Sequence, residues 1–152
     1  RYEQLLSRGF DGVNSVTLKY AEFKSAGMIH KGIHSILRKY FGGMVLDKYR
    51  YSDIIKHFIT PEDYSERIYP QLIPRRDRSP RSGRKAMIYY DSTPELFKLA
   101  AENAVKCVEK RDKNHRLIFL NAWNEWGEGA YMEPDLRFGH KYIEALREVL
   151  TN

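Results

Sequence analysis

The chain has 152 residues, which is the size of a single globular domain. A hydrophobic fraction of 42% argues against a disordered chain, and no apolar run approaches the length of a transmembrane segment. The net charge of +6 favours anionic partners, and five histidines without ligand spacing indicate no metal site. The single cysteine, Cys107, cannot form an internal disulfide, which fits a reducing compartment, so we expect a cytoplasmic protein.

The first half of the chain shows two weak patterns followed by one clear helix. The weak patterns predict a strand at residues 13–16 and a helix at residues 33–39. Residues 51–58 are expected to form an amphipathic helix that ends before Pro61. The apolar residues on the buried face of this helix are Tyr51, Ile54, Ile55 and Phe58.

Two strands and a basic segment are predicted in the middle of the chain. Residues 68–74 have the β-branched and aromatic content of a strand, but Pro70 and Pro74 should confine it to a short or edge position. Residues 86–90 are predicted as a second strand. Between them, residues 75–85 contain six basic side chains, and such a run is more often a solvated loop than a binding site.

The second half alternates helices with a strand. Ser92 followed by Pro94 marks the start of a helix that should run to about residue 110, with Phe97, Ala101, Ala104, Val105 and Val108 as its buried stripe. Residues 117–122 are predicted as a strand buried on both faces. A final helix covers residues 139–150, with Tyr142, Ile143, Leu146, Val149 and Leu150 facing inward. This order predicts an α/β fold, in which ligands bind at the carboxyl ends of parallel strands.

The residues that follow the last predicted strand read NAWNEWGEGAYMEP and combine aromatic rings with carboxylates. If the chain turns after Asn124, Glu125 and Glu128 fall on one side, with Cβ atoms roughly 5–6 Å apart. Carboxyl pairs at such separations cleave glycosidic bonds, one as acid and the other as base or nucleophile. Crowding with Glu133 is expected to raise the pKa of at least one of these carboxyls, as a general acid requires.

The aromatic residues of this motif fit the same hypothesis. Trp123 and Trp126 offer flat rings on which a sugar face can stack, and Asn124 can exchange hydrogen bonds with hydroxyl groups. On physical grounds an alternative has equal weight, in which the tryptophans are core residues and the glutamates lie on a surface turn. Glu133 is expected to order the approach to the last helix, and Asp135 is a candidate capping residue.

Residues 121–135 resemble the signature of the WbsX-type glycosyltransferase family, which is related to the family 99 glycoside hydrolases. The resemblance continues upstream, where residues 77–81 are similar to the family's Trp-Asp-Asn-x-Pro-Arg segment and residues 92–97 match its helix opening. It covers residues 69–150 well and is weaker before them. The motif at residues 121–135 is long and specific, so it carries the resemblance.

The resemblance implies a (β/α)8 barrel of which residues 1–152 form the carboxyl-terminal half, so a missing amino-terminal half or a partner chain is expected. It implies that Glu125 assists attack by the substrate's own 2-hydroxyl and that Glu128 acts as acid and then base. It implies no metal and no organic cofactor. The implied substrate is an oligosaccharide or polysaccharide of lipopolysaccharide or other surface-polysaccharide metabolism, with a sugar diphosphate as candidate donor. The implied substrate-binding residues are Trp123, Asn124, Trp126, Tyr131, Asp77 and Arg81.

The sequence departs from the family pattern at Arg76 and Arg78, which stand where the family has Trp and Asn. These arginines predict either a more anionic substrate or a damaged site. Three functions therefore stay open: making or cleaving glycosidic bonds, non-catalytic or vestigial glycan binding, and anion or nucleic-acid binding through residues 75–85. The last ranks lowest because the basic run lacks interleaved aromatic residues, and no specific nucleic acid partner is expected.

Overall fold

The computed structural model describes residues 2–15, 17–26, 36, 40 and 47–151. Its helices are α1 (Tyr2–Leu6), α2 (residues 18–26), α3 (Tyr51–Ile54), α4 (Ser79–Ser82), α5 (Pro94–Val108) and α6 (Lys141–Thr151). Its strands are β1 (Val13–Asn14), β2 (Asp47–Arg50), β3 (Ile68–Tyr69), β4 (Gln71–Leu72), β5 (Arg76–Asp77), β6 (Met87–Tyr90), β7 (Phe119–Leu120), β8 (Asn124–Glu125) and β9 (Ala130–Tyr131). Short 3-10 turns cover Ile55–His57, Pro61–Tyr64, Gly83–Lys85, Lys113–His115 and Trp126–Glu128.

Short parallel strands form the framework of the molecule. β1 pairs with β3 and β4 pairs with β7, both in parallel. Only Pro70 separates β3 from β4, so the two act as one extended segment. Successive carbonyl groups of such a segment point to opposite sides, so it can pair with β1 on one side and with β7 on the other. The strand order is therefore β1, then β3 with β4, then β7. The flanking bonds run from the Val13 and Ser15 amides to the Arg67 and Tyr69 carbonyls, and from the Phe119 and Asn121 amides to the Pro70 and Leu72 carbonyls.

Helix α5 lies in the connection from β4 to β7, as a crossover between parallel strands requires. It begins at Thr93, whose hydroxyl accepts a hydrogen bond from the Leu96 amide at 3.3 Å. Phe97 of this helix is fully buried, with its ring centroid 5.6 Å from that of Tyr142 in α6. The larger residues of the shared core are Tyr51, Ile54, Phe58, Leu72, Ile73, Tyr89, Phe97, Met132 and Tyr142.

Two further sheets include the strands that come shortly after β4 and β7 along the chain. β6 pairs in parallel with β2 and antiparallel with β5, which comes shortly after β4. The antiparallel hairpin of β8 and β9 comes shortly after β7. Both additions follow the strand ends at which α/β proteins place their ligands.

The predicted α/β class is confirmed, as are several local elements. The apolar face of residues 51–58 is buried at all four predicted positions. β6 lies within the predicted residues 86–90, and the predicted stripe of α5 is buried apart from Val105, which is half-buried. The strand predicted at residues 13–16 is seen as Val13–Asn14. Of the helix predicted at residues 33–39, all but residue 36 lies outside the described residues.

The expectation that residues 68–74 pair only in a short or edge position is met by its first alternative, since β3 and β4 have two residues each. These strands do not lie at an edge, because proline lacks only the N–H and the Pro70 carbonyl still accepts a hydrogen bond from the Phe119 amide at 3.0 Å. Two expectations are wrong. β7 is shorter than predicted and not buried on both faces, since it pairs with β4 alone among the described strands, and Phe119 is 44% exposed. The helix cap is Thr93 rather than Ser92.

The last helix also differs in detail from its prediction. Leu150 was expected to face inward but is 64% exposed, whereas Tyr142 is buried as predicted. The helix begins at Lys141 instead of residue 139, because a turn closed by Asp135 and Gly139 precedes it. Among the strands that the structure describes, the sheet does not close into a barrel.

Candidate carbohydrate site

The chain after β7 turns back on itself and forms the hairpin of β8 and β9. It leaves β8 through the 3-10 turn Trp126–Glu128, so the predicted bend after Asn124 is present. Gly129 then adopts a φ of 57°, a left-handed conformation that favours glycine. A Cβ at this position would lie 2.8 Å from the Asp77 amide nitrogen, so the turn packs directly against β5.

Glu128 is held by three arginines. Its carboxylate accepts hydrogen bonds from Arg76 and Arg81 at 2.9 Å each, and Arg78 lies 3.2 Å away. The side chains of Glu128 and Arg76 are 14% and 7% exposed, so water is largely excluded from the centre of the cluster. The turn that carries Glu128 is thereby ion-paired to β5 and α4.

These arginines control the protonation of Glu128. Burial raises the pKa of its carboxyl, but the hydrogen bond from Arg81 and the charges of Arg76, Arg78 and Arg81 outweigh that effect and leave the pKa below its ordinary value. The rise in pKa that crowding was expected to give at least one carboxyl does not occur at Glu128, because its neighbours are cations. Glu128 is ionised at neutral pH in this arrangement.

Glu125 lies on the same side of the turn as Glu128. One of its oxygens is 3.8 Å from the Arg81 nitrogen that binds Glu128 at 2.9 Å. The Glu125 side chain is 41% exposed, in contrast to the shielded Glu128. The two carboxylates therefore converge on one guanidinium, with one of them open to solvent.

Both tryptophans of the motif are half-exposed, at 50% for Trp123 and 48% for Trp126. The alternative of two core tryptophans is therefore wrong. Trp126 stacks on Tyr131 with ring centroids 3.6 Å apart, and its indole N–H donates to Glu133 at 2.5 Å. Glu133 thus orders the indole, a contact that the sequence did not reveal.

Arg75 lies against the same aromatic pair. Its guanidinium carbon is 4.1 Å from the ring centroid of Tyr131 and 4.1 Å from that of Tyr142. Its guanidinium forms an ion pair with Asp135, which also accepts from the Tyr131 hydroxyl at 3.1 Å. Asp135 accepts from the Phe138 amide at 2.6 Å as well, so it caps a turn and not a helix, since α6 begins only at Lys141.

An open cleft of about 1200 Å³ borders these groups. Of the predicted substrate-binding residues, Asp77, Trp126 and Tyr131 line it. Arg76 also lines the cleft while it binds Glu128, so the carboxylate cluster adjoins the cleft. The other predicted site residues lie outside this lining and are Trp123, Asn124, Arg81, Glu125 and Glu128.

Two of the predicted binding residues have clear local roles. The Asp77 carboxylate accepts a hydrogen bond from the Ser79 amide at 2.8 Å and so orders the start of α4. Asn124 is an exposed residue of β8 that lies opposite Tyr131 in the hairpin. Neither role prevents these side chains from contacting a sugar.

The basic run at residues 75–85 is not a solvated loop, since it forms β5, α4 and a 3-10 turn. Four of its six basic side chains pair with carboxylates. Three of these four share Glu128, so only part of the run's positive charge is balanced within the protein. The run lacks interleaved aromatic residues, which argues against a surface for nucleic acid. One sequence signal pointed to these ion pairs. Arg76 and Arg78, two of the four paired arginines, are the residues at which the sequence departs from the family pattern.

In the part of the chain that the structure describes, no three His, Cys, Asp or Glu side chains group as a metal ion requires. No helix within those residues is long and apolar enough to cross a membrane. Cys107 is buried, and burial raises the pKa of its thiol.

Comparison with known proteins gives one family and two relatives. The model of the family described as glycosyltransferase WbsX matches residues 2–146. Two curated proteins, both described as uncharacterized protein WxcX, come from two strains of Xanthomonas campestris pv. campestris and are each 39% identical over 93 residues. That match covers 59% of this chain and 13% of each relative, so the chain spans a small part of their length. No solved structure matches.

Proposed function

Since this chain belongs to the WbsX glycosyltransferase family, we propose that it makes or cleaves glycosidic bonds in the biosynthesis of lipopolysaccharide or another surface polysaccharide. The reacting groups in this proposal are Glu125 and Glu128. The observation that carries it is the turn after Asn124, which brings both carboxylates to Arg81. Paired carboxyl groups roughly 5–10 Å apart are the usual catalysts of glycosidic bond cleavage.

The two carboxylates differ in exposure, which suits them to different steps. Glu125 is the more exposed and, in our proposal, is the base that assists attack on the anomeric carbon. Glu128 is kept ionised by three arginines, so the positive charge around it has to weaken before it can carry a proton. The Arg81 and Arg78 side chains are 55% and 34% exposed, whereas Arg76 is buried. Substrate binding is therefore proposed to draw Arg81 and Arg78 away, which leaves Arg76 to hold Glu128 in place.

The same proposal extends to the architecture and the donor. Parallel strands in the order β1, β3 with β4, and β7 follow one another along the chain, as in a (β/α)8 barrel, and a further segment or chain would complete it. A sugar diphosphate is the proposed donor, because Arg78 and Arg81 present guanidinium groups that are 34% and 55% exposed beside the carboxylates. The free thiol of Cys107 fits a reducing compartment, so the reaction is proposed to be cytoplasmic.

Glu125→Gln and Glu128→Gln test the catalytic assignment in the protein as its gene encodes it. Each variant is returned to cells from which the gene has been deleted, and the surface polysaccharide is analysed by gel electrophoresis. We expect neither variant to restore the polysaccharide, because an amide neither accepts nor donates the proton. Glu148→Gln, which alters an exposed glutamate of α6 paired with Lys98, should restore it fully. Restoration by both site variants at normal expression would contradict the assignment.

A second candidate function is glycan binding without turnover. The observation that favours it is the set of three arginines around Glu128, which hold that carboxylate ionised and occupied. Under this alternative, both glutamine variants restore the polysaccharide while loss of the exposed Trp126 ring does not. The two candidates therefore differ in the outcome of one complementation series.

A further inference from the structure

A column of stacked groups leads from the cleft to the core. Trp126 is outermost and stacks on Tyr131 with centroids 3.6 Å apart and planes inclined by 18°. The Arg75 guanidinium carbon is 4.1 Å from the Tyr131 centroid and 4.1 Å from the Tyr142 centroid. Tyr142 is 1% exposed and packs on the fully buried Phe97. The orientation of a half-exposed indole is thus connected to the interior of the protein.

Both faces of Tyr131 are occupied in this column. At a spacing of 3.6 Å the Trp126 indole leaves no room for another group on its side, so the Arg75 guanidinium lies against the opposite face. Tyr131 therefore supports the indole and does not offer a ring face of its own to a ligand. Both stacked rings line the cleft, but Trp126 is the outer one and is 48% exposed.

Arg75 anchors the column through an ion pair as well as through stacking. Its guanidinium pairs with Asp135, and the two side chains are 11% and 9% exposed. Asp135 also accepts from the Tyr131 hydroxyl at 3.1 Å, so one carboxylate fixes two layers of the column. A planar guanidinium can stack on rings and bind a carboxylate at once, whereas an ammonium group cannot.

We propose that the outer face of Trp126 binds the apolar face of a pyranose ring and that Arg75 is the positioning residue that holds the indole there. This inference rests on the proposed function, since the ring belongs to the glycan on which Glu125 and Glu128 act. The indole N–H already donates to Glu133, so the group left for a ligand is the flat apolar face. A pyranose offers a matching face of C–H groups. Trp123 is equally exposed but does not line the cleft.

The two tryptophans of the chain allow each indole to be observed alone. Trp123→Phe leaves Trp126 as the sole indole fluorophore, and Trp126→Phe leaves Trp123. Each protein is titrated with surface polysaccharide purified from the cells restored by the wild-type gene. We expect a saturable blue shift of the Trp126 emission, because the sugar displaces water from the ring, and no shift of the Trp123 emission.

Arg75→Lys, added to the Trp123→Phe protein, tests the positioning role. We expect a roughly two- to ten-fold loss of affinity, the range for one aromatic contact, and a weaker near-ultraviolet circular dichroism signal from the stacked rings. Arg84→Lys is the matched control, since it alters an exposed arginine of the same basic run, and it should change neither quantity.

Trp126→Ala removes the indole and leaves the ion pair of Arg75 and Asp135 in place. Because the indole is half-exposed, its loss should leave the far-ultraviolet circular dichroism spectrum unchanged. It should abolish the binding signal measured by calorimetry. Unchanged affinity in Arg75→Lys would overturn the positioning role, and unchanged affinity in Trp126→Ala, or a shift of Trp123 instead of Trp126, would overturn the binding site. Each of these outcomes leaves the glutamine results intact. Cells whose polysaccharide is unaffected by deletion of the gene would refute the proposed function itself.

Discussion

Gly129 is the position at which one added methyl group tests the packing of the site. Its φ of 57° and ψ of 22° are left-handed, and a Cβ there would lie 2.8 Å from the Asp77 nitrogen and 3.0 Å from the Asp77 carbonyl oxygen. These are backbone atoms of β5, which is paired with β6, so they cannot move aside as a flexible side chain can. Gly129→Ala should therefore push the turn away from β5 and separate Glu128 from Arg76.

The expected magnitude has two parts. A left-handed conformation costs a residue with a side chain about 1–2 kcal/mol, and overpacking of a close contact adds about 1–3 kcal/mol. Gly129→Ala should thus lower the free energy of unfolding by about 2–5 kcal/mol, a large fraction of a typical total. Gly139 has a φ of 56° and nothing within 4 Å of its added Cβ. Gly139→Ala should therefore cost only the first part, about 1–2 kcal/mol.

Urea denaturation of both variants, followed by circular dichroism, measures the difference. The difference between the two losses isolates the contact with Asp77, because the backbone angle φ is nearly the same at both glycines. The losses of unfolding free energy caused by Gly129→Ala and by Glu128→Gln should not add in the double variant. The first substitution already disrupts the ion pair that the second removes. Equal losses at the two glycines would refute the reasoning that the turn is pressed against β5.

Three further predictions concern pH, the core and a helix cap. The arginines lower the pKa of Glu128 in the folded state, so the ionised carboxylate stabilises the fold. This stabilisation is complete above about pH 4.3, the pKa of a glutamate in the unfolded chain, and is lost as the pH falls through the lower pKa of the folded state. Glu128→Gln should therefore flatten the acid decline in urea-measured stability, and a decline parallel to that of the wild type would contradict this. Phe97→Ala should lower the free energy of unfolding, measured by chemical denaturation, by about 3–5 kcal/mol. Leu99→Ala, on the exposed side of α5, should change it by less than about 0.5 kcal/mol. Similar losses in the two variants would count against the assigned core. Thr93→Ala should lower the stability of the protein by about 1 kcal/mol, because the Leu96 amide loses its hydrogen-bond acceptor. Thr93→Ser keeps a hydroxyl and should retain most of the melting temperature. Identical thermal melts for the two variants would exclude the cap.

Features that depend on neighbours along the chain could be predicted from the sequence. The start of α5 follows from a hydroxyl residue before Pro94, and its buried stripe follows from helical spacing. The bend after Asn124 was predictable because Gly127 and Gly129 tolerate backbone angles that other residues avoid. Each of these depends on residues only a few positions apart, so composition and spacing are sufficient.

Features that depend on distant residues could not be predicted. The hydrogen bond from Arg76 to Glu128 joins positions 52 residues apart, and a sequence shows charges without showing their partners. The lowered pKa of Glu128 could not be predicted for this reason, since its acidic neighbours lie close in sequence and its arginine partners do not. The apolar run of β7 likewise predicts burial on two faces, but burial depends on which strands flank it.

The loop after β7 is held by three consecutive residues that begin just before β5. Arg75 pairs with Asp135 beyond the hairpin, and Arg76 binds Glu128 within it. The backbone of Asp77 packs against Gly129, between those two points. Because successive side chains of an extended segment point to opposite faces, two adjacent arginines reach different carboxylates without competing.

These ion pairs give a structural role to Arg76 and Arg78, the two residues that depart from the family pattern. Arg76 and Arg78 both face Glu128, the carboxylate for which we propose a catalytic role, and the Arg76 side chain is 7% exposed. Each departure supplies a cation to the same carboxylate, and loss of that carboxylate would leave the buried Arg76 without its partner at a cost of roughly 3–5 kcal/mol. The two arginines are therefore matched to the position of Glu128 beside Arg81. Both candidate functions need Glu128 in this position, so the glutamine variants, and not the pairing, distinguish turnover from binding alone.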